Sequence, residues 1–380
     1  MNLQSRLPEV GVSIFSVMSK MAMEHNAINL GQGFPDFAVN DKLIDLIHQK
    51  MKEGNNQYAP MHGVQSLRKA IADVIEKTYQ RKIDFENEIT ITAGGTEALF
   101  SAIAAFVQQD DEVILFDPSY DSYDPAIRLN GGIPVHINLA PPNFSIDWDE
   151  VKKKISSRTR MIIINTPHNP LGTILSSSDL QLLEQLAVEH DLIVLSDEVY
   201  ERIIFENKSH ESVLKYPLLK DRSVAVFSFG KTFHATGWKV GYAIASENLT
   251  REIRKAHQYI TFSVNTPTQL ALADFLNDEE NYLHLSKFYQ EKRDFFREQV
   301  KGTSLKTLPC YGSYFQLLSF EGVSEKSDME MAEWMTKEMK LTSIPVSPFY
   351  KDRSDYKLLR FCFAKNDDTL KKAGEILRRI

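Results

Sequence analysis

Lys231 stands in the run SFGKTFHATGWKVG, residues 228–241, directly after the apolar stretch Val224-Ala225-Val226-Phe227. A lysine where a buried strand ends packs poorly. Its amine is open to desolvation, which disfavours the charged form and lowers its pKa, and such an amine is a nucleophile or a proton carrier. The alternative for a lone lysine at this place is a solvated surface charge. Arg360, in KLLRFCFAK, raises a matching question. A buried guanidinium flanked by apolar residues needs an anionic partner, either an internal carboxylate or a ligand carboxylate gripped by two parallel N–H bonds. Ala93-Gly94-Gly95-Thr96 joins a strand-like to a helix-like segment. Glycines there make a tight turn or let backbone N–H groups approach a phosphate at a helix N-terminus. Asp197, in SDEVY, and Asn169, in NTPHNPLG, also follow apolar runs. The aspartate either caps a loop or helix or takes a charge-assisted hydrogen bond, and the asparagine sits in a turn signal.

The elements that must position these residues read as strands and helices in alternation. Residues 112–116, 161–165, 192–196 and 224–227 are buried-strand runs, and residues 88–92 alternate like a strand. Helical patterns, such as 96–107 and 177–189, lie between several of them. This predicts an α/β chain with a mostly parallel sheet covered by helices on both faces, whose ligands bind at the carboxyl ends of the strands. After about Asp278 the pattern changes to a long charged helical run, residues 282–300, short strands near 311–318 and 358–363, and a closing amphipathic helix, 368–380. The expected organisation is a large domain, 41–278, a smaller α+β domain, 279–380, and an N-terminal arm, 1–40, folded onto the smaller domain or a partner subunit.

Composition narrows the function. With 380 residues the chain exceeds one usual core, which predicts two domains. A net charge of -7, from 44 basic against 51 acidic residues, gives no footprint for nucleic acid or an anionic membrane. No apolar run approaches the ~20 residues of a membrane span. The first ten residues lack the apolar core of a secretory signal. Cys310 and Cys362 are expected to be reduced packing cysteines of a cytoplasmic enzyme. No HExxH or CxxC is present, and His168, His234 and His257 are scattered, so no metal site is expected. A nicotinamide-dependent dehydrogenase needs a Gly-x-Gly-x-x-Gly turn, and Gly31 and Gly33 do not supply one. A regulator with an appended DNA-binding domain is not expected in this length.

In chain order, GQGFPDF, NQYAP, FDPSYDSY, NTPHNP, SDEVY, SFGKTFHATGWK, HQYITFSVNTP and LLRFCF resemble the class I/II pyridoxal-phosphate-dependent aminotransferases of fold type I. The likeness spans nearly the whole chain and is strongest to the branch of bacterial methionine aminotransferases and kynurenine/glutamine transaminases. It implies that Lys231 is the Schiff-base lysine and proton carrier. Asp197 would hold the pyridine nitrogen protonated, and Tyr200 would donate to the ring hydroxyl oxygen. Val199 and the stacking Tyr120 would flank the ring. Gly95, Thr96, Ser228 and Lys239 would cradle the phosphate, with a point charge at Lys239 where many relatives place an arginine fork. Asn169 would bind the ring oxygen and touch the substrate carboxylate, which Arg360 and Gly33 would receive. Tyr58 would reach the neighbouring subunit's phosphate in a homodimer with a shared active site. Phe15, Tyr120 and Phe262, the last from the neighbour, would line the side-chain pocket. The implied reaction moves the amino group of methionine, aromatic amino acids, kynurenine or glutamine to a 2-oxo acid. Cysteine-conjugate β-elimination is the alternative on the same cofactor. No second arginine for a side-chain carboxylate is evident, which argues against an aspartate-specific enzyme.

Overall fold

A computed structural model describes residue 1 and residues 3–380. After a helix, Ile14–Glu24, comes a short strand, β1 (Ile28–Asn29). The middle of the chain supplies β2 (Ile89–Thr92), β3 (Glu112–Asp117), β4 (Ile133–Asn138), β5 (Thr159–Asn165), β6 (Ile193–Asp197), β7 (Ser223–Ser228) and β8 (Gly241–Ala245). The last part supplies β9 (Lys306–Thr307), β10 (Phe315–Ser319), β11 (Leu341–Thr342), β12 (Ile344–Pro345) and β13 (Leu358–Cys362).

The seven central strands form one sheet in the order β2-β8-β7-β6-β5-β3-β4. All run parallel except β8, which is antiparallel to both β2 and β7. The continuous apolar runs follow from burial on both faces. Successive residues of a strand point to opposite sides. Met161, Ile163, Ile193, Leu195, Val224 and Val226 therefore join one core with the helix Gly95–Phe106. Ile162, Ile164, Val194, Ala225 and Phe227 join the other. Each such Ile, Val or Leu contributes about 1.5–3 kcal/mol by leaving water.

The expected alternation at 88–92 is real, but both faces of β2 are buried, threonines included. Two strands of this sheet went unread in the sequence. β4 is a partly exposed edge strand carrying Pro134, which an edge tolerates. β8 follows closely on Lys239, and its reversed direction brings its first residue to the edge where β7 ends, with Gly241 opposite Ser228.

A second, four-stranded antiparallel sheet has the order β12-β13-β10-β9. The helices Leu285–Val300 and Asp367–Leu377 pack together beside it, at a crossing where a Cβ on Gly374 would lie 2.6 Å from Gln299 Cβ. The long helical run expected over 282–300 is broken at His284, whose Nδ1 lies 2.8 Å from the carbonyl oxygen of Glu280. The N-terminal segment joins this part of the molecule: β1 pairs with β11, and the Cys362 N–H donates to Leu30 O at 2.7 Å. Both cysteines are free and buried. Among the described residues no helix is long and apolar enough to cross a membrane, and no group of side chains could hold a metal ion.

Candidate active site

Five parallel strands deliver their carboxyl ends to one place. β2 leads into Gly94-Gly95-Thr96, β3 into Tyr120, β5 into Asn169, β6 ends at Asp197 ahead of Val199 and Tyr200, and β7 ends at Ser228 ahead of Lys231. All these residues, with Lys239, line a cavity of about 180 Å³. Crevices at such strand ends are where open α/β sheets bind ligands.

Lys231 sits in a single-turn helix, Phe229–Thr232. Its Nζ donates to the Tyr314 hydroxyl at 3.0 Å and to Gly33 O at 3.3 Å, and lies 5.5 Å from the centre of the Tyr200 ring. No carboxylate pairs with it among the described residues, and burial pushes its pKa down to about 8. That raises the neutral fraction at pH 7 by on the order of a hundredfold over an ordinary lysine. Asp197 is 4% exposed. Its Oδ2 accepts from the Tyr123 hydroxyl at 2.6 Å and its Oδ1 from Val199 N at 3.3 Å. Burial nevertheless raises its pKa to about 6, since two hydrogen bonds do not replace the lost hydration. A cation placed beside this carboxyl would restore its charge. Burial likewise raises the pKa of the Tyr200 hydroxyl, so it stays a donor.

At one end of the cavity the helix Gly95–Phe106 presents its N-terminus. Gly94 takes φ +80, a conformation costly for any residue with a Cβ, and a Cβ there would lie 3.3 Å from Lys239 Nζ. A Cβ on Gly95 would lie 2.9 Å from Val199 Cγ1. The helix-terminal N–H groups, the positive end of the helix dipole, the Ser228 hydroxyl and the Lys239 ammonium are groups that could hold an anion there.

Arg360 lies beside the other end and is 1% exposed. One terminal nitrogen donates to Asn169 Oδ1 at 2.8 Å, the other to Gly31 O at 2.7 Å, and Nε has no partner. The guanidinium stacks on Phe315, 4.0 Å from the ring centre, and on Phe15 at 4.9 Å. Burial lowers its pKa to about 10. The internal salt bridge that the sequence left open is not formed: both charged contacts go to neutral oxygens. Gly33 is required here, because a Cβ on it would meet Phe315 Cζ at 2.9 Å.

Phe15 is brought near the site by packing on Phe349, 5.5 Å between ring centres. Tyr58 and Phe262 are not brought to the cavity within one chain. They pack edge-to-face at 5.4 Å on the surface, 83% and 46% exposed. Tyr123 and Tyr314, which touch Asp197 and Lys231, were not singled out in the sequence. Tyr123 follows Tyr120 at a one-turn spacing that hints at a shared direction; Tyr314 carries no local signal.

Comparison with known proteins agrees with this geometry. Residues 25–377 match the family described as aminotransferase class I and II. The methionine aminotransferase of Escherichia coli (strain K12) is 51% identical over 378 residues, spanning 99% of this chain and 98% of that one. Kynurenine–oxoglutarate transaminase 3 of Rattus norvegicus is 36% identical over 404 residues, spanning 98% of this chain and 89% of its own. A solved Escherichia coli structure with methionine aminotransferase function superposes with a TM-score of 0.98 at 50% identity, each chain fully covered. The N-succinyldiaminopimelate aminotransferase of Mycobacterium tuberculosis superposes with a TM-score of 0.95 at 32% identity, again over the whole of both chains. These relatives are transaminases and lend the β-elimination alternative no support. The chain therefore belongs to the class I and II aminotransferases, a pyridoxal-phosphate-dependent family of fold type I that exchanges amino groups between amino acids and 2-oxo acids, and it is an aminotransferase.

Proposed function

We propose that this aminotransferase holds pyridoxal phosphate in the cavity at the strand ends and takes methionine, aromatic amino acids, kynurenine or glutamine as amino donors. The observation that carries the reading is one cavity with four complementary features. It has groups suited to an anion at one end, a buried carboxyl and a buried amine with no ion-pair partner among the described residues, and beside it an arginine with no anion. Gly94, Gly95, Thr96, Ser228 and Lys239 fit the phosphate. Asp197 fits a ring nitrogen that needs its proton held, and Tyr200 and Asn169 fit the ring oxygen. Val199 and Tyr120 fit the ring faces.

When bound, the cofactor supplies an electron-withdrawing ring that acidifies the substrate Cα. The protein's share is positioning and proton handling. Arg360 and Asn169 fix the substrate carboxylate, with Gly33 leaving it room. Asp197, as a carboxylate, keeps the ring nitrogen charged by a charge-assisted hydrogen bond. The Lys231 amine takes the α-proton, a step typically worth ~10²–10⁴-fold in rate. Burial of these groups excludes water from the reaction.

The donor range rests on the relatives and on the walls. Tyr120 lines the cavity, Phe15 stacks on Arg360 and packs on Phe349, and among the described residues no arginine lines the cavity to receive a second carboxylate. Each methylene discriminates by only ~1–3 kcal/mol, which favours broad specificity. The enzyme is further proposed to be a homodimer in which Tyr58 and Phe262, exposed together with Tyr259 and Ile260, complete the partner's site. A cytoplasmic location fits the two unpaired cysteines. Residues 41–278 and 279–380 are proposed as the large and small domains, with 1–40 on the latter.

Borohydride reduction followed by peptide mass mapping tests the cofactor site: the label is expected on Lys231, and a label elsewhere or none overturns the reading. Steady-state rates across an amino-acid panel test the donor range. Aspartate as the best donor would sink it.

A further inference from the structure

We propose that Tyr314, its own proton held on Gly33 O, is a positioning residue that keeps the lone pair of the Lys231 amine free for the α-proton. The proposal rests on the role of Lys231 given above.

Tyr314 is fully buried. Its hydroxyl meets Gly33 O at 2.6 Å and Lys231 Nζ at 3.0 Å. A hydroxyl has one proton and two lone pairs, and a carbonyl oxygen can only accept. The contact with Gly33 therefore fixes the tyrosine proton on that oxygen, and Tyr314 is an acceptor towards the lysine. Gly33 O is a second acceptor, 3.3 Å from Nζ. A neutral amine has two N–H groups and one lone pair. With both N–H groups turned to Tyr314 and Gly33, the lone pair lies on the opposite side, where Lys231 borders the cavity.

The segment that bears Gly33 is held by contacts from far along the chain. Gly31 O takes the Arg360 bond, Phe34 O accepts from Lys365 Nζ at 2.8 Å, and Asp36 Oδ1 accepts from Asn366 N at 2.6 Å.

Tyr314→Phe keeps the ring, which packs edge-on against Tyr200 at 5.1 Å, and removes only the hydroxyl. The full-length cofactor-free protein, wild type and variant, is acetylated with trace acetic anhydride across a pH series, and Lys231 is followed by peptide mass mapping. An acceptor stabilises the ammonium, so its removal is expected to lower the Lys231 midpoint by roughly half a unit or more. A midpoint that rises or stays put overturns the proposal, since a tyrosine that donates to the amine gives the opposite sign. In the loaded enzyme, kcat is expected to fall about tenfold with little change in KM. The rate ratio of methionine to α-deuterated methionine is expected to grow. An unchanged ratio also counts against the proposal. Should the phenylalanine variant not fold, Tyr314→Met carries the same test. Borohydride label at Lys231 with a rising midpoint defeats this proposal alone; absence of that label defeats the reading beneath it.

Discussion

Asp197 and Arg360 are both buried charges beside one cavity, yet they are held by different kinds of scaffold. Asp197 is the last residue of a central strand, and its neighbours in the site come from adjoining strand ends of the same sheet. Arg360 comes from the second sheet and is fastened to Gly31, 329 positions away in sequence. Lys231 reaches across to Gly33 at a separation of 198, and Tyr314 to the same carbonyl at 281. The floor proposed for the cofactor is thus built from one sheet, and the wall proposed for the substrate from chain segments far apart in sequence. The floor suits a group that stays; the wall suits one that arrives and leaves.

Substitutions on either side sharpen or break this contrast. Lys231→Ala, at the seam, is expected to abolish transamination, a loss beyond about 10⁴-fold, measured as single-turnover formation of 2-oxo acid. Arg360→Ala is expected to lower kcat/KM for methionine by ~10²–10³-fold, as expected when one side of a buried charge pair is removed, while bound cofactor, read by absorbance, is unchanged. Loss of cofactor in that variant would erase the distinction between floor and wall. Asp197→Asn is expected to cost about 10–100-fold in kcat, the worth of a charged hydrogen bond, with KM for methionine little altered. A change confined to KM would place Asp197 on the substrate side.

The smallest effect concerns a clasp between the two regions. His136 lies between Asp117 Oδ2 at 2.8 Å and Asp124 Oδ2 at 3.0 Å, and the Lys351 N–H also donates to Asp117 at 2.8 Å. Those two carboxylates outweigh burial and raise the His136 pKa from 6.5 to about 9. A raised histidine stabilises fully below its unfolded value and loses that stabilisation as pH climbs through the folded one. Melting temperature should therefore decline between pH 6.5 and about 9, and decline less in His136→Gln. Equal slopes would remove the histidine from the clasp.

Much of the floor was legible in the sequence because its residues lie at or within a few positions of the ends of apolar runs that read as buried strands. Position left Lys231, Asp197 and Asn169 with bland alternatives, and the family resemblance singled them out; Tyr123, which holds Asp197, gave no such signal. The wall was legible only in part. Arg360 showed as a charge among apolar residues, but its fastening to Gly31 and the aromatic stack of Phe15 and Phe315 depend on distant pairings that no local pattern encodes. Tyr314 was silent for the same reason: a tyrosine in a strand-like stretch reads as core until its hydroxyl partners are known. The long helix expected over 282–300 proved to be two, meeting at His284, and β2 was read correctly as a strand but not as one buried on both faces.

The backward course of β8 has a consequence for how this protein can vary. Because β8 returns along β7, residues 229–240 leave and re-enter the sheet at the same edge, carrying the reactive amine and the cationic end of the cradle on one short bight. A Cβ on Gly241, where that bight ends, would come within 2.5 Å of Phe227 O, so the closure has no slack. An added or deleted residue there would change the spacing of two groups that must grip one small molecule. Length changes should be barred from this loop and tolerated on the outer rim, where they could retune the choice of amino acid without disturbing the chemistry.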